Sequence, residues 1–228
     1  ADAYIFFDLD ETLWDFKRNS VETLQDLFAL YRLEEKGLKE DTFYSRYHYH
    51  NNIYWDLFRK GLLAREDLRV IRFLTTLKDF DITDDALAKS MSETYLRLLP
   101  TKTRLFDHAL DVLAYLHQKY SLHIITNGFE EVQFKKLKNS GITSYFKNVI
   151  TSEMAGSQKP NREIFKYAFD KTSASVLNSI FIGDSMEADI AGAKSIGMDH
   201  VFFNPERTIH YEQLTHEIYS LAELKNIL

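Results

Sequence analysis

Apolar residues gather along this chain in short blocks that end in polar or acidic residues. Residues 3–9 (AYIFFDL), 122–127 (LHIITN), 179–184 (SIFIGD) and 200–204 (HVFFN) are almost continuous runs of β-branched and aromatic side chains. Runs this short, with little alternation, predict strands covered on both faces as in a parallel sheet, and residues 148–151 (NVIT) form a weaker fifth candidate. Residues 106–119, 130–140 and 164–171 carry the helical period between them. Strands alternating with helices predict an α/β core built on a doubly wound, Rossmann-like parallel sheet. Such sheets bind ligands at the carboxyl ends of their strands.

Residues 16–99 break this rhythm. They offer helical periods rich in Leu, Phe and Tyr and no convincing strand, which predicts an inserted all-helical cap domain. Ser20 with Thr23 is read as the opening of one cap helix and Asp84 as the N-cap of another, while Pro100 closes the block. The predicted division is therefore a catalytic core of residues 1–15 and 100–228 and a cap of residues 16–99.

Composition narrows the chemistry. The 228 residues include no cysteine, which removes disulfides, thiolate metal sites and cysteine nucleophiles. A formal net charge of −6 disfavours a nucleic-acid polymer as partner, because counterion displacement needs a basic face. The sequence opens without a basic leader region, and no apolar stretch reaches membrane-spanning length. A cytoplasmic protein acting on a small molecule, with no membrane partner, is the expectation.

Four motifs sit at the predicted strand ends. In FFDLDETLW, Asp8 and Asp10 follow the first strand at a spacing that would put both carboxylates on one side of a regular strand. Like charges so close invite a bound cation, and oxygen ligands suit Mg²⁺, although a solvated turn would carry the same residues. In IITNG, Thr126 and Asn127 precede Gly128 and a helix start, an arrangement that suits a phosphate-sized anion but is also ordinary turn chemistry. In SQKPNREIF, Lys159 stands ahead of Pro160 and a helix, where it can neutralise a phosphate or an acid. In IFIGDSMEADIAGAKSIGM, Asp184 and Asp189 follow a buried strand, and acids there need a partner such as a metal. Glu187 reads as solvated.

Taken in order, these motifs resemble the haloacid dehalogenase-like superfamily of hydrolases over essentially the whole chain, with FFDLDETLW, IITNGF and the KP and GDS motifs most similar to its pyrimidine 5′-nucleotidase branch. The resemblance implies a phosphatase in which Asp8 is the nucleophile and Asp10 the general acid and then base, through an aspartyl-phosphate. It implies Mg²⁺ held by the Asp8 carboxylate, the Asp10 carbonyl and Asp184, with Asp189 acting through a water or behind the ligands. Thr126, Asn127 and Lys159 would bind the phosphoryl oxygens. Gln158 and Asn161 depart from the family's usual small residue and Asp. A dehalogenase would need neither the metal nor Asp10, a sugar phosphomutase would share the whole set, and a non-catalytic phosphoacceptor module would have no use for a cap. Specificity is expected from Trp14, just past the acidic loop, and from the cluster of Asn51, Asn52 and Trp55. Their amides and rings could pair with and stack on a pyrimidine base.

Overall fold

The computed structural model describes residues 3–228. Its first strand, β1 (Tyr4–Phe7), is followed by four helices: α1 (Phe16–Leu30), α2 (Glu40–Arg59), α3 (Arg65–Lys78) and α4 (Asp85–Leu98). The α/β alternation then resumes with α5 (Ala109–His117), β2 (Ser121–Thr126), α6 (Glu130–Asn139), β3 (Asn148–Thr151), α7 (Ser152–Ala155) and α8 (Arg162–Thr172). It ends with β4 (Ser179–Gly183), a π-helical turn (Met186–Ile190), α9 (Ala191–Ser195), β5 (Asp199–Phe203), β6 (His216–Ile218) and α10 (Leu224–Ile227).

The six strands form one sheet in the order β3-β2-β1-β4-β5-β6. Every neighbouring pair is parallel, with Phe7 opposite Ile124 on one side and Ile182 on the other. The chain winds outward from β1 to β3, returns, and winds out again from β4 to β6. The switch point lies at β1, so the loop after Phe7 opens where a doubly wound sheet collects ligands. Phe6, Ile125, Ile150, Phe165 and Phe181 pack one buried core cluster, and the Phe165 and Phe181 rings meet edge to face at 5.7 Å. At roughly 1.5–3 kcal/mol for each large apolar side chain buried, such a core can offset charges concentrated at the strand ends.

The chain divides into two compact units, one holding residues up to Phe16 together with Thr103–Leu228, the other Lys17–Lys102. The second unit is built of helices, with Tyr47, Phe73 and Tyr95 fully buried at its centre. Its α4 is capped by Asp84, whose carboxylate accepts from the Leu87 N–H. Ser20 and Thr23 do not open a helix. Both lie buried inside α1, which starts at Phe16; Ser20 bonds the Tyr95 hydroxyl and Thr23 donates to the Asn19 carbonyl one turn back. In the core, α5 begins later than its apolar period, because His108 adopts a left-handed backbone with φ of 70°. Strand β6 was not anticipated: three residues reading His-Glu-Ile carry no strand pattern, and pairing with β5 makes them one. No helix of the described residues is long and apolar enough to cross a membrane.

Candidate active site

β1 ends at Phe7, and the next residue, Asp8, is pinned to the neighbouring strand by its N–H, which donates to the Ile182 carbonyl at 2.9 Å. Its loop then folds tightly. The Leu9 carbonyl accepts from the N–H groups of Thr12, Leu13 and Trp14, and Glu11 takes a left-handed backbone with φ of 65°. Two consequences follow for the acid pair. The Asp8 side chain joins Asp184 and Asp189, whereas the Asp10 side chain turns to α6, where its oxygens accept from Lys136 Nζ at 2.9 Å and Gln133 Nε2 at 3.0 Å. The expectation of two carboxylates on one side holds only for a regular strand, and the strand has ended before Asp8.

One oxygen from each of Asp8, Asp184 and Asp189 lies within 4.8 Å of the others. Lys159, almost fully buried, reaches into this group and donates to Asp8 Oδ1 at 2.9 Å and to Asp189 Oδ1 at 2.7 Å. Burial opposes its charge, yet the carboxylates of Asp189 and Asp8 outweigh burial and hold its pKa above the ordinary lysine range. Asp189 is completely buried, and burial with repulsion from Asp8 pushes its pKa up to about 6, against the pull of Lys159 and of the Ser185 N–H. Asp184 accepts from the Thr12 hydroxyl at 3.0 Å, and burial and the charges of Asp8 and Asp189 raise it well above the carboxylate range. Gly183 makes room for this arrangement, since a Cβ there would lie 2.3 Å from the Asp189 carboxylate. Three hard oxygen donors with a single ammonium between them are short of positive charge, and this donor set could hold a divalent cation. Glu187 is exposed and lies outside this group of three acids.

The IITNG segment divides its labour differently from the sequence reading. The Asn127 side chain is engaged at both ends by the backbone of Lys159, accepting from its N–H at 2.8 Å and donating to its carbonyl at 3.0 Å. It therefore orients the lysine. Thr126, buried at the end of β2, accepts through its hydroxyl oxygen from the Gly128 N–H and from Gln133 Nε2. Gln133 and Lys136 were missed by sequence reasoning. Their spacing, i and i+3 on the helix that follows the motif, was one available signal.

The specificity candidates differ in exposure. Trp14 is fully buried within the core unit, its ring lying 4.3 Å beneath Lys136 Nζ, so stacking on a substrate base is closed to it. Asn51 is buried inside the helical unit, where its carbonyl oxygen accepts from Arg72 at 3.1 Å, which makes it a packing residue. Asn52 is exposed, and Trp55 is half-buried with its ring edge-on to Phe58.

The model of the haloacid dehalogenase-like hydrolases matches residues 3–197, which takes in the acids, Thr126, Asn127 and Lys159 of the strand-end motifs. The chain belongs to this family. Among these hydrolases it is similar to YfnB of Bacillus subtilis, 32% identical over 98% of this chain and 94% of that one. The crystal structure of YfnB bound to magnesium superposes with a TM-score of 0.88 over 100% of this chain and 99% of that chain. It is also similar to two pyrimidine 5′-nucleotidases, PynA of Streptococcus pneumoniae and YjjG of Escherichia coli. Each is 28% identical over 99% of this chain, covering 96% and 97% of their own lengths. For this hydrolase the family membership accounts for the order of the acidic, amide, lysine and acidic motifs along the chain.

Proposed function

We propose that this hydrolase is a Mg²⁺-dependent phosphatase acting on small phosphate monoesters, with pyrimidine nucleoside 5′-monophosphates as its preferred substrates. The observation that carries the reading is the buried Lys159 ammonium set between Asp8 and Asp189, with Asp184 alongside, at the switch point of the sheet. The substrate class rests on the similarity to PynA and YjjG.

Asp8 attacks phosphorus as the ester P–O bond breaks, and Asp10 gives its proton to the departing oxygen. Asp10 then takes a proton from the water whose oxygen displaces Asp8 from phosphorus, which returns both carboxyl groups to their starting states. Lys159 neutralises the approaching phosphoryl oxygens, while Asn127 keeps the lysine backbone in place. Thr126 lies beside them at the end of β2. Asp8 and Asp184 would hold Mg²⁺, with the Asp10 carbonyl, and Asp189 would stand behind them on Lys159. When bound, the ion supplies charge neutralisation among the acids and the phosphate.

Specificity must come from groups outside this shared machinery, and Asn52 and Trp55 remain the candidates with exposed surface. A panel of nucleoside monophosphates, sugar phosphates and small acid phosphates, assayed with Mg²⁺ and with excess chelator, tests the proposal. Hydrolysis of pyrimidine nucleotides above the others, abolished by chelator, is the expected result. Turnover that survives chelation sinks the metal assignment, and preference for sugar phosphates sinks the substrate class.

A further inference from the structure

Asp10 sits in a loop, where a free carboxyl would sample several rotamers, yet here each of its oxygens is held. Lys136 Nζ donates to Oδ1 at 2.9 Å and Gln133 Nε2 to Oδ2 at 3.0 Å. Both side chains project from the same face of α6, three residues apart. Each carboxylate oxygen can accept two hydrogen bonds, so these contacts leave capacity on each for a reacting oxygen.

The rest of the surroundings serve these two residues. The Lys136 side chain is about 3% exposed, lies over the rings of Trp14 at 4.3 Å and Phe16 at 5.1 Å, and finds its ion-pair partner in Asp10. A lysine so placed is not a solvated surface charge, because a buried ammonium is costly unless it is paired. The second amide hydrogen of Gln133 goes to the Thr126 hydroxyl at 2.8 Å, which fixes the amide's orientation. Gly128 leaves room for it: a Cβ at that position would meet the Gln133 side chain at 2.4 Å.

We infer that Lys136 and Gln133 are positioning residues for proton transfer by Asp10, with Trp14 as the floor that keeps Lys136 in place. This inference rests on the phosphatase reading and deepens it. The protein contacts fix the direction from which Asp10 delivers its proton to the leaving oxygen and later receives one from water. Positioning of this kind matters in proportion to how much the leaving group needs a proton. An alkyl phosphate needs it, and p-nitrophenyl phosphate, whose phenolate leaves readily, hardly does.

The test compares kcat on an alkyl phosphate and on p-nitrophenyl phosphate for the intact chain and for Lys136→Met and Gln133→Met, with Mg²⁺ present. Proton-transfer groups typically contribute 10²–10⁴-fold, so loss of their support should lower kcat on the alkyl ester by about 10–100-fold and on the aryl ester by only about threefold, with KM little changed. In an Asp10→Asn background, neither substitution should lower alkyl turnover further, since residues acting through one group are not additive. Circular dichroism establishes that each variant is folded. If Lys136→Met is not, Gln133→Met, which removes no charge, carries the test alone. Equal losses on both esters, no loss, a gain in alkyl turnover, or full additivity with Asp10→Asn each overturn the inference. A wild-type chain that hydrolyses neither ester overturns the phosphatase reading and this inference with it. An active wild type with unselective variants overturns the inference alone.

Discussion

Replacing Lys159 with Met keeps the stem and removes the one ammonium that stands among three carboxylates. Its two contacts, at 2.9 Å to Asp8 and 2.7 Å to Asp189, are each worth about 6 kcal/mol of attraction at an effective dielectric near 20. Most of that is cancelled by the cost of taking the ions out of water. The net effect of deleting one partner of a buried pair is about 3–5 kcal/mol, since the carboxylates left behind have lost both solvent and counter-charge. The core unit should therefore lose about that much stability in chelator. Mg²⁺ should restore part of it, because a divalent ion supplies the missing charge to the same oxygens, and the variant should respond to lower Mg²⁺ concentrations than the wild type. Equilibrium urea unfolding followed by fluorescence measures this in a Trp55→Phe background, where Trp14, fully buried in the core unit, is the remaining tryptophan. A loss below about 1 kcal/mol in chelator, or a loss that Mg²⁺ does not reduce, would refute the argument that Lys159 balances this cluster.

Three further outcomes are expected. Asp8→Asn should remove turnover of every phosphate ester while the circular dichroism spectrum is retained, since the amide is nearly the same size and a poor nucleophile; residual turnover near the wild-type rate would exclude the covalent step. His123 is buried and stacks against the rings of Tyr4 and Phe6, and burial, aided by Lys147, lowers its pKa from 6.5 to about 4. The folded state thus binds that proton less readily than the unfolded chain. Stability present above pH 6.5 should fall as pH drops towards 4, by up to about 3 kcal/mol, and His123→Gln should flatten that slope in urea midpoints measured from pH 7 to 4.5; parallel slopes would exclude the histidine as the cause. Trp55→Ala should lower kcat/KM for pyrimidine nucleotides more than for p-nitrophenyl phosphate, and equal losses would mark Trp55 as a packing residue.

What could be read from the sequence follows from where burial is symmetric. β1, β2, β4 and β5 lie inside a sheet covered on both faces, so their residues are mostly apolar, with few interruptions such as His123, and announce themselves. β6 at the sheet edge has three residues and two polar side chains, and only its partner makes it a strand. The acids that follow the strands were legible for the same reason, because a charge directly after a buried run needs an explanation. Within the helical unit the cues were less reliable. Ser20 and Thr23 looked like helix openers, but a hydroxyl that finds Tyr95 or its own helix carbonyl can sit in the interior of α1 at little cost.

The residues that escaped notice share a physical character. Lys136 belongs to a run, EEVQFKKLKN, that by composition reads as a solvated helix face, and single-residue statistics favour the bland reading for any lysine within it. Its burial is decided by Trp14 and Asp10, more than a hundred positions away, through contacts that no local pattern encodes. Asn127 reads as an anion ligand from its neighbours, and its amide also pairs with the N–H and C=O of Lys159 across a loop. In both cases the sequence marks the group that carries charge and hides the group that aims it. Aiming depends on close approach, and here that approach left one trace in the chain: Gly128, whose missing Cβ is the space that Gln133 fills. A glycine that follows a strand-end Thr-Asn and precedes a helix with Gln five positions on is thus evidence about the far side of the site, where Asp10 is held, as well as about the turn it occupies.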